Sequence, residues 1–172
     1  MDRTVIACEN PFWTFSLAVY AAPGVADECL ELQTTLNIDV NVLLFCAWLG
    51  AERKIALSED DFTAIDACVE QWHETVVRPL RSVRQSMKLH PAISNQDVID
   101  LRKQVAALEL RAEQIEQAQL FEMADEIARD HETSLDAIVS NVSSYLRRHG
   151  DAADNITVPK RMIAAAAQWR RD

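Results

Sequence analysis

The chain has 172 residues, 17 Lys and Arg against 27 Asp and Glu for a formal net charge of −10, and 49% apolar residues. That length buries a core without a disulfide or metal staple, and so apolar a composition excludes wholesale disorder. An acidic balance argues against a general nucleic-acid or anionic-membrane binder, and three glycines are too few for a protein rich in sheet and tight turns.

From the N-terminus, no positive segment precedes an apolar one, and Glu9, Asn10 and Pro11 interrupt any apolar run, so no secretory signal is expected. Asn10 followed by Pro11 predicts a helix start: a side-chain cap, then a residue whose missing N–H costs nothing in the first turn. The helix from Phe12 to Tyr20 is apolar nearly all round and is expected to be buried. Ala22-Pro23-Gly24 breaks it. A second helix runs from Val25 to Leu36 on the stripe Val25, Cys29, Leu32, Leu36, and Asn37 can take the left-handed stop. Asp39 caps a third, Val40 to Trp48, which Gly50 is expected to end. Its apolar stretch falls well short of the roughly 20 residues a membrane span requires, so no span is expected and the location reads as cytoplasmic.

Ser58 opens a fourth helix, with Glu59, Asp60 and Asp61 at the positive end of its dipole. Phe62, Val69, Val76 and Val83 then recur every seven residues, with Ile65 and Trp72 between them. Pro79 falls near an inward position and is expected to kink this helix. Leu89-His90-Pro91-Ala92 reads as a turn, and Ser94 with Asp97 as the next start. Val98, Leu101, Val105, Leu108, Ala112 and Ile115 repeat the heptad before a phase shift to Leu120, Met123 and Ile127. Two heptad helices joined by a short turn predict an antiparallel hairpin. Leu135, Ile138, Val142 and Leu146 mark a further helix closed by Gly150. A polar linker to Thr157 precedes a last helix, from about Val158 to Trp169.

The fold class expected is therefore all-α: a compact helical bundle with a long antiparallel helical hairpin. Residues 1–57 would supply buried N-terminal helices, 58–149 the hairpin and a trailing helix, and 150–172 a linker and a short helix, within one domain overall.

Few constellations suggest chemistry. Cys8, Cys29, Cys46 and Cys68 lie far apart with no Cys-x-x-Cys pair, which fits reduced, packed thiols. Glu70 and His73 have the Glu-x-x-His spacing of carboxylate-bridged metal bundles, but those need the motif twice and no second copy exists. A solvated helix face is the plainer reading. Asp60, Asp61 and Asp66 suggest an acidic magnesium cluster, yet helix-start charge accounts for the first two. With no phosphate loop and no nucleophile elbow, no catalytic residue, metal ligand or cofactor is expected, and an enzyme is the less favoured class.

Two groups of residues stand out. Arg78, Arg81, Arg84 and Lys88 form a basic stripe beside Leu80, Val83 and Met87 on a helical wheel. The stripe either docks on an acidic partner or pairs with the acidic helices around it, and the second is the simpler reading. Ser16, Tyr20, Gln33 and Asn41 interrupt the apolar N-terminal helices. They either cross-link helices or, with Trp13 and Trp48, line a small pocket.

Phe12-Trp13-Thr14-Phe15-Ser16-Leu17, Tyr20, Pro23-Gly24-Val25, Leu32-Gln33, the run Asp39 to Gly50 and the stretch Val76 to Arg81 form a long signature. It resembles that of a family of short, all-helical proteobacterial proteins of unassigned function, over about the first ninety residues. The resemblance implies a helical bacterial protein and brings no substrate, cofactor or catalytic residue.

The function expected is a non-catalytic helical interaction module, regulatory or adaptor-like. It would contact another protein or a second copy of itself through the hairpin and the stripe Arg78, Arg81, Arg84 and Lys88, with no nucleic acid and no membrane span. The alternative is a bundle binding a small molecule or lipid among Trp13, Tyr20, Gln33, Asn41 and Trp48.

Overall fold

A computed structural model describes residues 7–128, 133–150 and 157–170. The chain is all-α: α1 Pro11–Tyr20, α2 Val25–Leu36, α3 Val40–Trp48, α4 Glu59–Trp72, α5 Arg78–Lys88, α6 Gln96–Ile127, α7 Ala137–His149 and α8 Lys160–Gln168. Among the described residues there is no strand, only an isolated antiparallel bridge between Ile55 and Thr133. No described helix is long and apolar enough to cross a membrane.

The capping chemistry works as the residues suggest. Asn10 accepts a hydrogen bond from Trp13 N at 2.8 Å, Asn37 stops α2 with φ of 52°, and Asp39 accepts from Asn41 N at 2.8 Å. Ser58 and Asp61 form a reciprocal capping box. α3 is the axis of the bundle, buried from Asn41 to Trp48 and packed against α1, α6, α7 and α8. Phe12 meets Phe45 edge-on at 5.2 Å, and Trp48 lies against Phe12, Phe45 and Phe121. α8 docks on the start of the chain: the Glu28 carboxylate accepts from Arg161 N and Met162 N, and Trp169 meets Phe15 at 5.4 Å. Cys29 and Cys46 lie in this core, where burial pushes the Cys29 thiol up to about 12; Cys8 and Cys68 are half-buried, and all four are free.

Several boundaries differ from expectation, each for a local reason. α3 spans Val40 to Trp48 as expected, but Gly50 does not stop the helical course of the chain. The helix widens into a π turn, Leu49–Arg53, which Lys54 stops in the left-handed region with φ of 58°. The cap of α6 is Asn95, which accepts from Asp97 N at 2.8 Å, while Ser94 closes a 3-10 turn begun at Pro91. α7 starts at Ala137, and Leu135, 98% exposed, stands in the turn ahead of it. α8 starts at Lys160, two residues later than expected, and most of the polar linker lies outside the described residues.

The Pro79 disturbance takes a specific form. Proline lacks the N–H of a regular turn and its ring crowds the carbonyl four residues back. The turn before it, His73–Val77, is a π turn, so α4 and α5 continue as one interrupted helix packed antiparallel on α6. A π turn takes an extra residue, and the inward phase moves with it. Phe62, Ile65 and Val69 are buried, but the next buried position is Val77 rather than Val76, and Val83 faces solvent.

Candidate functional site

The phase shift decides what α5 presents to α6. Arg81 and Arg84 turn inward and meet acidic residues of α6. Arg81 Nε donates to Glu109 at 3.1 Å and its Nη2 to Glu113 at 2.6 Å, while Arg84 donates to both oxygens of Glu109. Burial disfavours the Glu109 charge, but Arg84 and Arg81 outweigh it and hold the carboxyl below its ordinary value. Arg78 is held by Glu74 one turn earlier, at 2.8 Å. The basic stripe is thus largely consumed within the chain. Lys88 alone of the four has no ion-pair partner among the described residues.

α6 departs in part from its expected pattern: Ala112, Leu120 and Ile127 are buried as expected, but they are not alone. Glu109, Gln114, Glu116 and Gln117 are buried, while Leu101, Leu108 and Leu110 are exposed. Buried polar groups need partners, so a helix with this pattern is organised around polar contacts. Gln114 reaches Glu9 at 3.0 Å. The other contacts converge on one place.

That place joins α3, α4 and α6. His73 Nδ1 lies 2.9 Å from Asp39 Oδ2 and 3.0 Å from Glu116 Oε1. Three elements aim these groups. Asp39 is the cap of α3, its Oδ1 occupied by Asn41 N; its backbone N–H donates to the Tyr145 hydroxyl at 3.1 Å, and its carbonyl accepts from that hydroxyl at 3.2 Å. His73 begins the π turn, and the neighbouring Trp72 fixes α4 to α6 by donating Nε1–H to the Ala112 carbonyl at 3.0 Å. Glu116 is fully buried; its Oε2 accepts from Asn41 Nδ2 at 2.6 Å, and Asn41 Oδ1 accepts from Gln117 Nε2 at 2.8 Å.

The electrostatics follow from two carboxylates and one imidazole. Burial opposes charge on the ring, yet the Asp39 and Glu116 carboxylates beside it prevail and push His73 up to about 10. Burial raises the Glu116 carboxyl, and the nearby Asp39 charge adds to this against the pull of His73. One Nδ1–H cannot serve two acceptors equally. It bonds to Glu116, and Asp39 Oδ2 is left buried without a hydrogen bond.

Asp39 and His73 line a cavity of about 720 Å³ walled by the end of α2, by α4, α5 and α7. Its polar wall includes Gln33, Glu70, Gln85 and His149, together with the paired residues Asp66, Glu74, Arg78 and Arg81. Asp66 there is paired with Arg148 at 3.0 Å, whereas the Glu70 carboxylate has no hydrogen bond or ion pair among the described residues. A second cavity, of about 220 Å³, is lined by Trp13, Tyr20, Gln33 and Asn41, together with Arg81, Glu109 and Gln117. Trp48 is not part of it, because its ring is packed among Phe12, Phe45 and Phe121 in the core. Gln33 and Arg81 border both cavities. Ser16 contributes a buried hydroxyl with no hydrogen-bond partner among the described residues.

Against expectation, His73 is not on a solvated helix face: its side chain is 12% exposed. At Glu-x-x-His spacing, the Glu70 carboxylate makes no bond to the ring but lines the same cavity; the two residues meet only through the His73 N–H and the Glu70 carbonyl. Sequence reading found Asp39 only as a cap and did not single out Glu116. The one signal for Glu116 is the pair Glu116-Gln117 set among Ala112, Ala118 and Leu120, polar residues at the most buried level of α6.

No curated protein and no solved structure matches the chain significantly. A family of proteins of unknown function, DUF2390, matches residues 11–120, further than the first ninety residues that carry the signature, and the matched stretch contains Asp39, His73 and Glu116. By that match over most of its length, the chain belongs to the DUF2390 family of proteins of unknown function.

Proposed function

We propose that the protein binds a small, positively charged molecule in the cavity walled by α2, α4, α5 and α7. One observation carries this reading: Asp39 and Glu116, two carboxylates from different helices, share a single histidine at the edge of that cavity. The charge around them points the same way. Arg78 and Arg81 are spent on Glu74, Glu109 and Glu113, and Asp66 on Arg148, which leaves Glu70 and the carboxylate surplus beside His73 unbalanced. A concave site with a few converging polar groups and an unbalanced negative charge selects a cation.

Thermal unfolding of EDTA-treated protein tests this with putrescine and L-arginine as organic cations and malonate as an anion. A ligand at about 100 times its Kd adds about 2.7 kcal/mol of stability, so the organic cations are expected to raise Tm by several degrees. Glu70→Gln should reduce that rise, and malonate should produce none. A rise with malonate alone, or no rise with any cation, contradicts the reading.

A second reading has its own observation. The end of the hairpin carries exposed Val83, Leu89, Leu101 and Leu108 and a groove lined by Val83, Met87, Val98 and Leu101. We infer that this strip, with Lys88 and Asp97 both lacking an ion-pair partner among the described residues, suits a two-fold contact with a second copy of the chain, where unlike charges are set opposite one another. Light scattering is expected to show a dimer that Leu101→Glu dissociates. A strict monomer at all accessible concentrations removes this reading.

A further inference from the structure

The structure assigns a divalent transition-metal site to Asp39 Oδ2, His73 Nδ1 and Glu116 Oε1. This inference rests on reading the cavity as a cation site and specifies one ion within it. The three donor atoms come from three separate helical elements and lie within 4.8 Å of one another. Two of their separations are 2.9 and 3.0 Å. Adjacent ligands on an octahedral ion with bonds of about 2.1 Å stand about 3.0 Å apart, so an ion can enter with little rearrangement.

Three further features distinguish this cluster from a simple ion pair. First, Asp39 Oδ2 is buried and has no hydrogen bond among the described residues, although His73 lies beside it at 2.9 Å. A cation would satisfy that oxygen together with Glu116 Oε1, which one Nδ1–H cannot do. Second, each carboxylate has its other oxygen fixed, Asp39 Oδ1 by the Asn41 backbone and Glu116 Oε2 by the Asn41 side chain, which is itself held by Gln117. Outer partners of this kind orient ligands and leave one oxygen of each aimed at the ion. Third, Asp39 and His73 border the 720 Å³ cavity while Glu116 closes the site from behind, so the remaining coordination positions face open space. Three protein ligands with open positions describe a site that takes water or a ligand molecule as well.

The donor set selects the ion. One imidazole and two carboxylates suit Mn²⁺, Fe²⁺ or Zn²⁺; Ca²⁺ needs six or more oxygens, and Mg²⁺ keeps most of its waters.

Isothermal titration of the EDTA-stripped full chain with Mn²⁺ and with Zn²⁺, alongside Mn²⁺ electron paramagnetic resonance, tests the assignment. One ion per chain is expected. His73→Gln and Glu116→Gln are expected to weaken binding at least about 100-fold, and Asn41→Ala, which touches no metal, about 10- to 100-fold. Asp39→Asn keeps the capping acceptor and serves as the ligand variant should His73→Gln lose its helical circular dichroism. No binding by wild type, or binding that survives all the ligand variants, overturns the site. Because the organic-cation assay runs in EDTA, its success with no metal bound would overturn this inference alone, and its failure with metal bound would overturn the organic-cation reading alone.

Discussion

Gly50→Ala is expected to destabilise the protein by about 3 kcal/mol, at the upper end of what overpacking costs. The sign is informative, because in an exposed helix interior the same substitution stabilises by up to about 1 kcal/mol. Here α7 comes too close. A Cβ at Gly50 would stand 2.5 Å from Ile138 N, 2.6 Å from Ile138 Cα and 2.8 Å from Ala137 C. All three are backbone atoms at the start of α7, so no side chain can rotate away. The two segments must separate, and Leu49, Ala137 and their neighbours lose their packing. For a chain of this size, about 3 kcal/mol lowers Tm by roughly 6 to 12 °C, read by circular dichroism. An unchanged Tm would mean that α7 does not sit against the π turn.

Asn141→Leu is expected to have an effect of similar size for a different reason. Asn141, 1% exposed on α7, donates to the Cys46 carbonyl at 3.2 Å and the Ile55 carbonyl at 3.0 Å, and accepts from Leu57 N at 2.8 Å. The segment between α3 and α4 has few backbone partners of its own apart from the contact near Thr133. One side chain therefore stands in for a neighbouring strand. Leucine has nearly the same volume but leaves the Ile55 carbonyl and the Leu57 N–H unpaired, at about 1–3 kcal/mol each before local relaxation, whereas the Cys46 carbonyl keeps the Leu49 N–H. We expect a net loss of about 3 kcal/mol in urea unfolding, with new proteolytic cleavage between Leu49 and Leu57. A loss under about 1 kcal/mol with an unchanged cleavage pattern would show that those backbone groups find other partners.

The helices and their caps were legible because their determinants are local. Asn10 with Pro11, Asn37, Asp39 and Ser58 each set a terminus through contacts with residues a few positions away, and all four act as their chemistry predicts. The hairpin was legible for a related reason, since α5 and α6 are separated by a short turn and pack antiparallel. Its phase was not. A helical wheel assumes a constant turn, and the π turn at His73–Val77 breaks that assumption in the middle of the heptads. Val83 was assigned to the apolar face and is exposed, while Arg81 and Arg84 pair with acidic residues of α6, the simpler of the two readings of the stripe.

The site was illegible for the complementary reason. Asp39, His73 and Glu116 lie on three elements, and nothing in the spacing of any two suggests that they meet. Asp39 has a complete explanation as a cap, which conceals that its second oxygen is aimed elsewhere. His73 reaches the site at the point where the helix widens ahead of Pro79, so the irregularity that defeated the wheel also positions the ring. The first-cavity wall contains only Gln33 of the five residues proposed from sequence; Trp13, Tyr20 and Asn41 join Gln33 around the smaller cavity, and Trp48 belongs to the core.

Crystals of the full chain soaked in Mn²⁺ and measured near the manganese absorption edge give the most direct answer. Our account predicts an anomalous peak bonded at about 2.0–2.3 Å to an aspartate oxygen, an imidazole nitrogen and a glutamate oxygen, from Asp39, His73 and Glu116. Manganese bound elsewhere, or a difference map that is flat between those three side chains, would contradict it.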